Sequence, residues 1–401
     1  MKRENCVIWG IGTIGSSPVL KDMLEQNYNV AAYCDNHVDG KAELNGRTVV
    51  SAGDMKSYVC SHEIVAVLIA VSDREASKSI CAQIEKEISD SLKILDLYCE
   101  EMDRIESAYL ANRFERLQFR YQVDFEKQSE MWVENLMGEV VFWLNECEQK
   151  RDLIDSYIQN RDFLTYSSVY KTFSERLSDG DIILDIGSGI TSKFGSRTEG
   201  GNILHICAVD PLAYYFNQFL SADVSTEKKC HFGLFEMIAN FYEEESADGI
   251  IINNALDHCI DPFKAIVECL YVLKQNKYLA MWHRRAEAVY EKYTGLHRWN
   301  VDYDDKDNLI IWNENNAINL TEVLCEVADI KVWHTKDDVL REKQRVYVEI
   351  RKKQVFDLEL FFDIREERRN LAKLLERLMQ YYAENSTEEI QKRIWALQKS
   401  Q

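Results

Sequence analysis

Apolar positions along the chain change period three times. In the first hundred residues they come in short continuous runs. Residues 5–9 (Asn-Cys-Val-Ile-Trp), 28–33 and 64–71 (Ile-Val-Ala-Val-Leu-Ile-Ala-Val) predict strands, the last buried on both faces. A helical stretch ending near Gln26 separates the first two. Residues 77–89 predict a helix, and 93–97 a further strand. From 100 to 178 charged and apolar residues alternate at helical spacing, with Met131, Trp132, Leu136, Val140 and Leu144 near one face. Three or four helices are expected there. From 179 to 353 the strand-like runs return, at 181–186, 203–209, 229–232, 248–253, 277–283, 329–334 and 345–350, separated by helical stretches. That alternation predicts a mainly parallel sheet. The last two runs lie close together across a polar turn around Lys336–Lys343, as an antiparallel edge hairpin would. Beyond 354 the chain is charged and helical. Leu371, Leu374, Leu375, Leu378 and Met379 form a stripe, and Ser386 with Glu389 makes a capping box.

The expected fold class is therefore α/β, with two Rossmann-like three-layer domains joined by a helical connector and followed by a helical C-terminal tail. The boundaries fall at 1–100, 101–178, 179–353 and 354–401. The C-terminal stripe needs a partner surface, either on its own chain or on a second subunit in a homodimer.

Composition narrows the function classes. The chain has 401 residues, 46% hydrophobic, and a net charge of −20. That length allows two or three domains, and the charge argues against a nucleic-acid substrate, since Lys and Arg dominate phosphate-backbone binding. It also disfavours an anionic membrane surface. No run reaches the roughly 18 apolar residues of a membrane span, and Met1-Lys2-Arg3-Glu4 leads into no signal-like segment. The 11 cysteines are scattered without a Cys-x-x-Cys pair. Reduced thiols in a cytoplasmic protein are expected, with no metal site.

The stretch Asp181-Ile-Ile-Leu-Asp-Ile-Gly-Ser-Gly189 carries the chemistry. A buried strand ends near Asp185, and Gly187 and Gly189 turn the chain tightly enough for a ligand to touch backbone. In an open α/β sheet ligands bind at such a carboxyl edge. A second apolar run ends in Asp210, about 20 residues past the glycines, where an ionised carboxylate suits two ribose hydroxyls. A dinucleotide fingerprint wants a third glycine, but Ser192 stands there. Asp185 would repel a pyrophosphate and attract a cationic amino-acid moiety.

This stretch resembles the first motif of the seven-strand, class I S-adenosylmethionine-dependent methyltransferases, in Leu184-Asp185-Ile186-Gly187-Ser188-Gly189. The resemblance continues in order. Asp210-Pro211-Leu212 is similar to the ribose-binding acid and its neighbours. Gly233-Leu234-Phe235-Glu236 resembles the segment whose acid lies near the adenine. Residues 247–258, with Asn254, Ala255 and Leu256, resemble the fourth motif, followed by Asp261-Pro262. Gln275-Asn276-Lys277 replaces the family's usual Pro-Gly-Gly turn. The resemblance implies S-adenosylmethionine as cofactor, N-terminal helices that often cover it (Tyr166, Tyr170 and Phe173 precede the core), and the antiparallel edge hairpin.

The N-terminal run is followed by Gly10-Ile11-Gly12-Thr13-Ile14-Gly15, a complete G-x-G-x-x-G in strand–turn–helix context, with Asp35-Asn36 after the second strand. This is a second nucleotide site, with phosphates on backbone N–H groups at the turn, or a fold kept for assembly. The segment resembles the sugar-nucleotide-binding domain of bacterial glycan acyltransferases, where a Gly-rich turn, an acid pair and a later Gly-x-x-Val (here Gly46–Val49) recur. No Tyr-x-x-x-Lys occurs, against a short-chain dehydratase or epimerase.

Methyl transfer is an in-line displacement that rests on alignment. A hydroxyl acceptor also needs a general base, for which histidine suits and contributes roughly 10²–10⁴-fold. His258, His283 and His297 are the catalytic candidates, and Arg298, Trp299 and Asn300 the acceptor candidates, with Trp299 stacking on a sugar. The insert holding these last residues resembles one in methyltransferases of bacterial surface-glycan clusters. A methyltransferase acting on a sugar or nucleotide-sugar is the leading expectation. An NAD-dependent sugar-nucleotide oxidoreductase using the N-terminal domain, or a non-catalytic assembly protein, are the alternatives.

Overall fold

The computed structural model describes residues 3–38, 43–71, 73–89, 91–97, 99–111, 113, 119–152, 154–155, 168–220, 224–335 and 344–399. Two compact units divide the chain. Unit 1 comprises Met1–Gln118 with Ala288–His297, and unit 2 comprises Phe119–Glu287 with Arg298–Gln401.

Unit 1 carries strands β1 (Glu4–Trp9), β2 (Tyr28–Asp35), β3 (Glu43–Leu44), β4 (Arg47–Ser51), β5 (Ile64–Ile69) and β6 (Lys93–Asp96), and helices α1 (Pro18–Leu24), α2 (Met55–Ser61), α3 (Arg74–Gln83) and α4 (Glu100–Ala111). The sheet order is β3-β4-β2-β1-β5-β6. β1 pairs parallel with β2 on one side and β5 on the other, so the order reverses at β1. Val7 and Trp9 pack on one face while Cys6 and Ile8 fill the other, all at or near zero exposure, as a centrally placed parallel strand requires. β3, β4 and α2 are additions to the sequence pattern. The short β3–β4 hairpin turns at Asn45 and Gly46, both at positive φ.

Unit 2 carries α5 (Phe125–Gln149), α6 (Ser168–Ser174), β7 (Ile182–Ile186), β8 (His205–Val209), α7 (Ala213–Phe219), β9 (Ala247–Asn253), α8 (Pro262–Val272), β10 (Leu273–Arg284), β11 (Asn300–Tyr303), β12 (Leu309–Trp312), β13 (Ala317–Asn319), β14 (Ala328–His334), β15 (Arg345–Lys352), α9 (Ile364–Asn385) and α10 (Glu388–Lys399). Its main sheet runs β14-β15-β10-β9-β7-β8. β15 is antiparallel to both β10 and β14 and lies between them, so the expected antiparallel edge pair is present; the polar turn expected around Lys336–Lys343 lies outside the described residues. Both units are thus Rossmann-like α/β sheets.

Two expectations for unit 2 change. Residues 229–232 make no strand: His231 contributes a single parallel bridge to Val209, between a 3-10 turn and Gly233. The β7–β8 connection holds no helix, because 190–202 is rich in Gly, Ser and Thr, which favour turns. A three-stranded antiparallel sheet, β11-β12-β13, is also present. Its Val301, Tyr303, Leu309 and Ile311 join Leu184, Ile250, Leu279, Met281 and Val348 in one core with α8. The other face of the main sheet packs Ile183, Ile251 and Ala280 against Tyr170, Phe173 and Phe194.

The C-terminal stripe packs on its own chain. Leu374 and Leu378 are buried, and α9 lies along α5 through Lys373 and Arg377 to Glu126 and through Tyr381 Oη donating to the Glu134 carbonyl. Met379 stays exposed. Among the described residues no helix is long and apolar enough to cross a membrane.

Candidate functional site

The sheet of unit 2 reverses order at β7, between β8 and β9. Here the chain leaves β7 through Gly187 (φ +70°) and Gly189 (φ +67°). Side chains cannot replace these hydrogens. A Cβ on Gly187 would lie 2.5 Å from Ala255 Cβ and 2.6 Å from Phe235 Cζ; one on Gly189 would lie 2.8 Å from Trp143 Cζ2. The predicted segments therefore meet: Ala255, at the end of β9, closes on the first glycine, and Trp143 of α5 covers the second.

Asp210 sits across the bend. Its Oδ2 accepts from Gly189 N–H at 3.1 Å and its Oδ1 from Leu212 N–H at 2.8 Å. Each oxygen keeps a second acceptor position. Burial pushes the carboxyl up to about 7 against the pull of the two N–H groups, with Glu139 and Asp185 adding repulsion. Tyr382 of α9 reaches over the loop, donating to the Pro211 carbonyl at 3.1 Å. Asp185 is nearly enclosed; its Oδ2 accepts from Ser192 Oγ at 2.6 Å. Tyr170 lies close enough to Asp185 for the carboxylate to raise its pKa, after desolvation, and donates to Asn253 Oδ1. Tyr166 lies outside the described residues.

The bend presents acids rather than donors. Gly187 and Ser188 N–H both point at the Val209 carbonyl, and Gly189 N–H is taken by Asp210. Thr191 Oγ1, just beyond, is buried without a hydrogen-bond partner among the described residues. A ligand here meets carboxylates, a hydroxyl and aromatic walls. That fits a hydroxylated, cationic cofactor and does not suit a pyrophosphate.

Glu236 does not belong to this group. Phe235 takes the place against Gly187, and Glu236 turns inward. Its Oε1 accepts from the N–H groups of Ile260 and Asp261, and burial raises its pKa. It braces the segment after the fourth motif beside Asp261, Lys264 and Glu268. Asn254, at φ +47°, accepts Arg284 N–H on its side-chain oxygen, which ties β9 to β10. Leu256 is buried.

The histidines separate. The His258 side chain is 22% exposed, with Nε2 3.6 Å from Oδ2 of the buried Asp257. Trp132 Nε1 donates to the His258 carbonyl at 2.8 Å, which anchors the backbone under it. His283 is corrected: it is completely enclosed, and burial holds it down at about 4, so it is neutral and closed to an acceptor. His297 ends the 288–297 segment of unit 1, where its N–H donates to the Thr294 carbonyl. Asp257 escaped the sequence pattern because it reads as one more polar residue after a strand.

The acceptor candidates also need correction. Trp299 is 1% exposed inside the main core of unit 2, because β11–β13 folds it inward, and its face is not open for stacking. Asn300 is fully buried and donates to the Trp312 carbonyl. Arg298 keeps partial exposure; its N–H donates to the Asp257 carbonyl.

In unit 1 the same geometry recurs at β1. Gly10 has φ +107°, and a Cβ on Gly15 would meet the Gly10 carbonyl oxygen at 1.7 Å. Asp35 Oδ2 accepts from Ile11 N–H at 2.9 Å and Oδ1 from His37 N–H at 2.8 Å. Gly12 and Thr13 are exposed, and nothing lies within 4 Å of a Cβ on Gly12. Ile14 is half-buried, and Asn36 stands exposed beside Asp35.

No family model matches the chain, and no curated protein matches it. Among solved structures it is similar to a Haloferax volcanii chain crystallised with the Trm112 methyltransferase activator (10% identity, 53% of this chain and 98% of that one, TM-score 0.34). It is also similar to a SAM-dependent methyltransferase of Methanosarcina mazei (15% identity, 48% and 100%, TM-score 0.30). A third is UDP-D-quinovosamine 4-dehydrogenase of Vibrio fischeri (19% identity, 28% and 86%, TM-score 0.21). At these scores the likenesses carry no argument about chemistry.

Proposed function

We propose that the chain is an S-adenosylmethionine-dependent methyltransferase whose donor site is the β7 bend of unit 2. One observation carries this reading: at the point where the sheet order reverses, Asp210 is held by Gly189 and Leu212 N–H groups with acceptor positions left for a ribose diol. Asp185 supplies negative charge beside it for the amino group of the methionine moiety. Trp143, Phe235 and Ala255 wall the bend. Pro211 and Leu212 continue the ribose-side wall, and Ser188 and Asn254 its polar rim. Once bound, S-adenosylmethionine supplies an electrophilic methyl group on a sulfonium.

The acceptor in this reading is a hydroxyl of a sugar or nucleotide-sugar. His258 is then the general base, with Nε2 3.6 Å from Oδ2 of the buried Asp257. Arg298 is the remaining acceptor contact of the three expected. Unit 1 holds a nucleotide or nucleotide-sugar at Gly10–Gly15, with Asp35 and Asn36 toward a ribose. Among the described residues no hydrogen bond takes the N–H of Gly12, Thr13, Ile14 or Gly15, and such a run of N–H groups suits a phosphate.

Calorimetric titration of the full chain with S-adenosylmethionine tests the donor site. Binding in the micromolar range is expected, with at least a tenfold loss in Asp210→Ala under conditions where circular dichroism shows the variant folded. Binding of NAD without S-adenosylmethionine would replace this reading with the oxidoreductase one. A mass gain of one methyl group on a nucleotide-sugar, lost in His258→Ala, is the expected readout for the acceptor.

A further inference from the structure

We propose that the row Trp282–Tyr347–Trp333 on the main sheet of unit 2 is a docking face for a phosphorylated sugar. As an acceptor subsite this rests on the methyltransferase reading; as a binding site it stands apart from it. The three rings come from neighbouring strands in one register. Trp282 on β10 pairs with Tyr347 on β15, and Tyr347 pairs with Trp333 on β14. Alternation puts all three on the same face as Tyr170 and Phe194, away from the α8 core. The Trp333 and Tyr347 rings stack at 6.1 Å with 24° between planes. All three residues are half-buried, packed in part against the cluster of Tyr170 and Phe194.

The row continues into the donor site. Trp282 pairs across to Asn253, and Asn253 accepts from Tyr170, which lies beside Asp185. From Trp282 to Trp333 spans two strand spacings, about 10 Å, enough for one sugar ring and its phosphate.

Charge selects the occupant. Arg345 lies over the Trp282 ring at 5.6 Å and Lys331 over Trp333 at 5.5 Å. Glu349, in the next row, is neutralised by Arg176 at 2.8 Å and repels nothing. In a chain of net charge −20, cations above an aromatic row favour an anionic ligand. Among the described residues the indole N–H of Trp282 and Trp333 and the hydroxyl of Tyr347 make no hydrogen bond. Donors at the ring edges match the hydroxylated rim of a pyranose. Guanidinium and ammonium groups then take the phosphate.

The test uses the full chain and glucose 1-phosphate, followed by calorimetry and tryptophan fluorescence. Saturable binding is expected, weakened at least tenfold in Trp333→Ala and about threefold in Lys331→Gln, with S-adenosylmethionine affinity unchanged in both. Lys331 is exposed, so its variant keeps the test valid should Trp333→Ala unfold. Absence of glucose 1-phosphate binding, equal binding in both variants, or binding of phenyl phosphate in its place would each overturn the proposal. Failure of S-adenosylmethionine to bind while glucose 1-phosphate still does would sink the donor reading and leave this site standing.

Discussion

The two glycine bends of this chain are the same device in different surroundings. Each follows the strand at which its sheet reverses, and each is gripped by an acid ending the next strand. Asp35 takes Ile11 N–H and the N–H two residues on, at His37; Asp210 takes Gly189 N–H and the N–H two residues on, at Leu212. In unit 1 the bend opens outward at Gly12 and Thr13 and runs into α1. In unit 2 it is roofed by Trp143 and Tyr382 and runs into a helix-free connection. The acid brace is thus a property of strand–bend–strand geometry. What differs is the roof and the N–H groups left unengaged among the described residues, a difference that in the proposed function matches a phosphate to unit 1 and a hydroxylated cation to unit 2.

The largest effects come from filling the bends. In Gly15→Ala the new carbon meets a backbone oxygen that cannot move aside, so unit 1 is expected to lose about 3 kcal/mol or more. In Gly187→Ala the obstacles are the Ala255 methyl and the Phe235 ring, which can yield somewhat, but the residue also sits at φ +70°. A loss of about 2–4 kcal/mol is expected. Gly12→Ala, with open space around it, should stay within about 0.5 kcal/mol. Urea unfolding of the three variants ranks them. A Gly15→Ala as stable as Gly12→Ala would show that the unit 1 bend is not locked.

Next in size is the pH dependence that burial gives Asp210. Its folded pKa is raised to about 7, against about 4 in an unfolded chain. Between those values the folded state holds a proton that the unfolded state has released, so stability falls as pH rises through the window and is level above it. Glu268, also pushed up to about 7 by burial, contributes in the same direction. Asp210→Asn should therefore flatten part of the decline between pH 4 and 7, leaving the share of Glu268. Donor affinity should move the other way. Only the ionised carboxylate accepts from both ribose hydroxyls, so wild-type affinity should rise through pH 7 while the variant stays flat. Thermal scans and calorimetry across that range read both slopes. A variant with the wild-type slopes would mean that Asp210 titrates elsewhere.

How much of this contrast is legible in the sequence depends on length scale. Both bends, both acids and most strands of the two sheets can be read from apolar runs and glycine spacing, because these are local. Trp299 misleads for the opposite reason. Between a polar insert and an acidic turn it reads as an exposed ring, yet β11–β13 pairs across 300–319 and carries it into the core. The short apolar run Leu309–Trp312 was the available signal. Glu236 and His283 fail similarly: which face each side chain takes depends on packing partners far away in sequence. The Trp282–Tyr347–Trp333 row is spread over three strands and becomes visible only when register is known.

A smaller effect separates hydrogen bonding from burial in the unit 2 roof. Tyr382→Phe removes one hydrogen bond, from its hydroxyl to the Pro211 carbonyl, and should cost about 1 kcal/mol. The ring stays in place, held near Tyr215 at 5.3 Å and Tyr214 at 6.2 Å. Desolvation is the leading cause of the raised Asp210 pKa, so its midpoint should remain near 7 in the variant. The Tyr382→Ala change removes the ring itself, admits water to the loop, and should bring that midpoint down toward the ordinary carboxylate range. Carboxyl carbon shifts followed by NMR against pH distinguish the two. If Tyr382→Phe alone lowered the midpoint, the roof would act through its hydroxyl, and the contrast between the open bend of unit 1 and the covered bend of unit 2 would be one of hydrogen bonding instead of solvent exclusion.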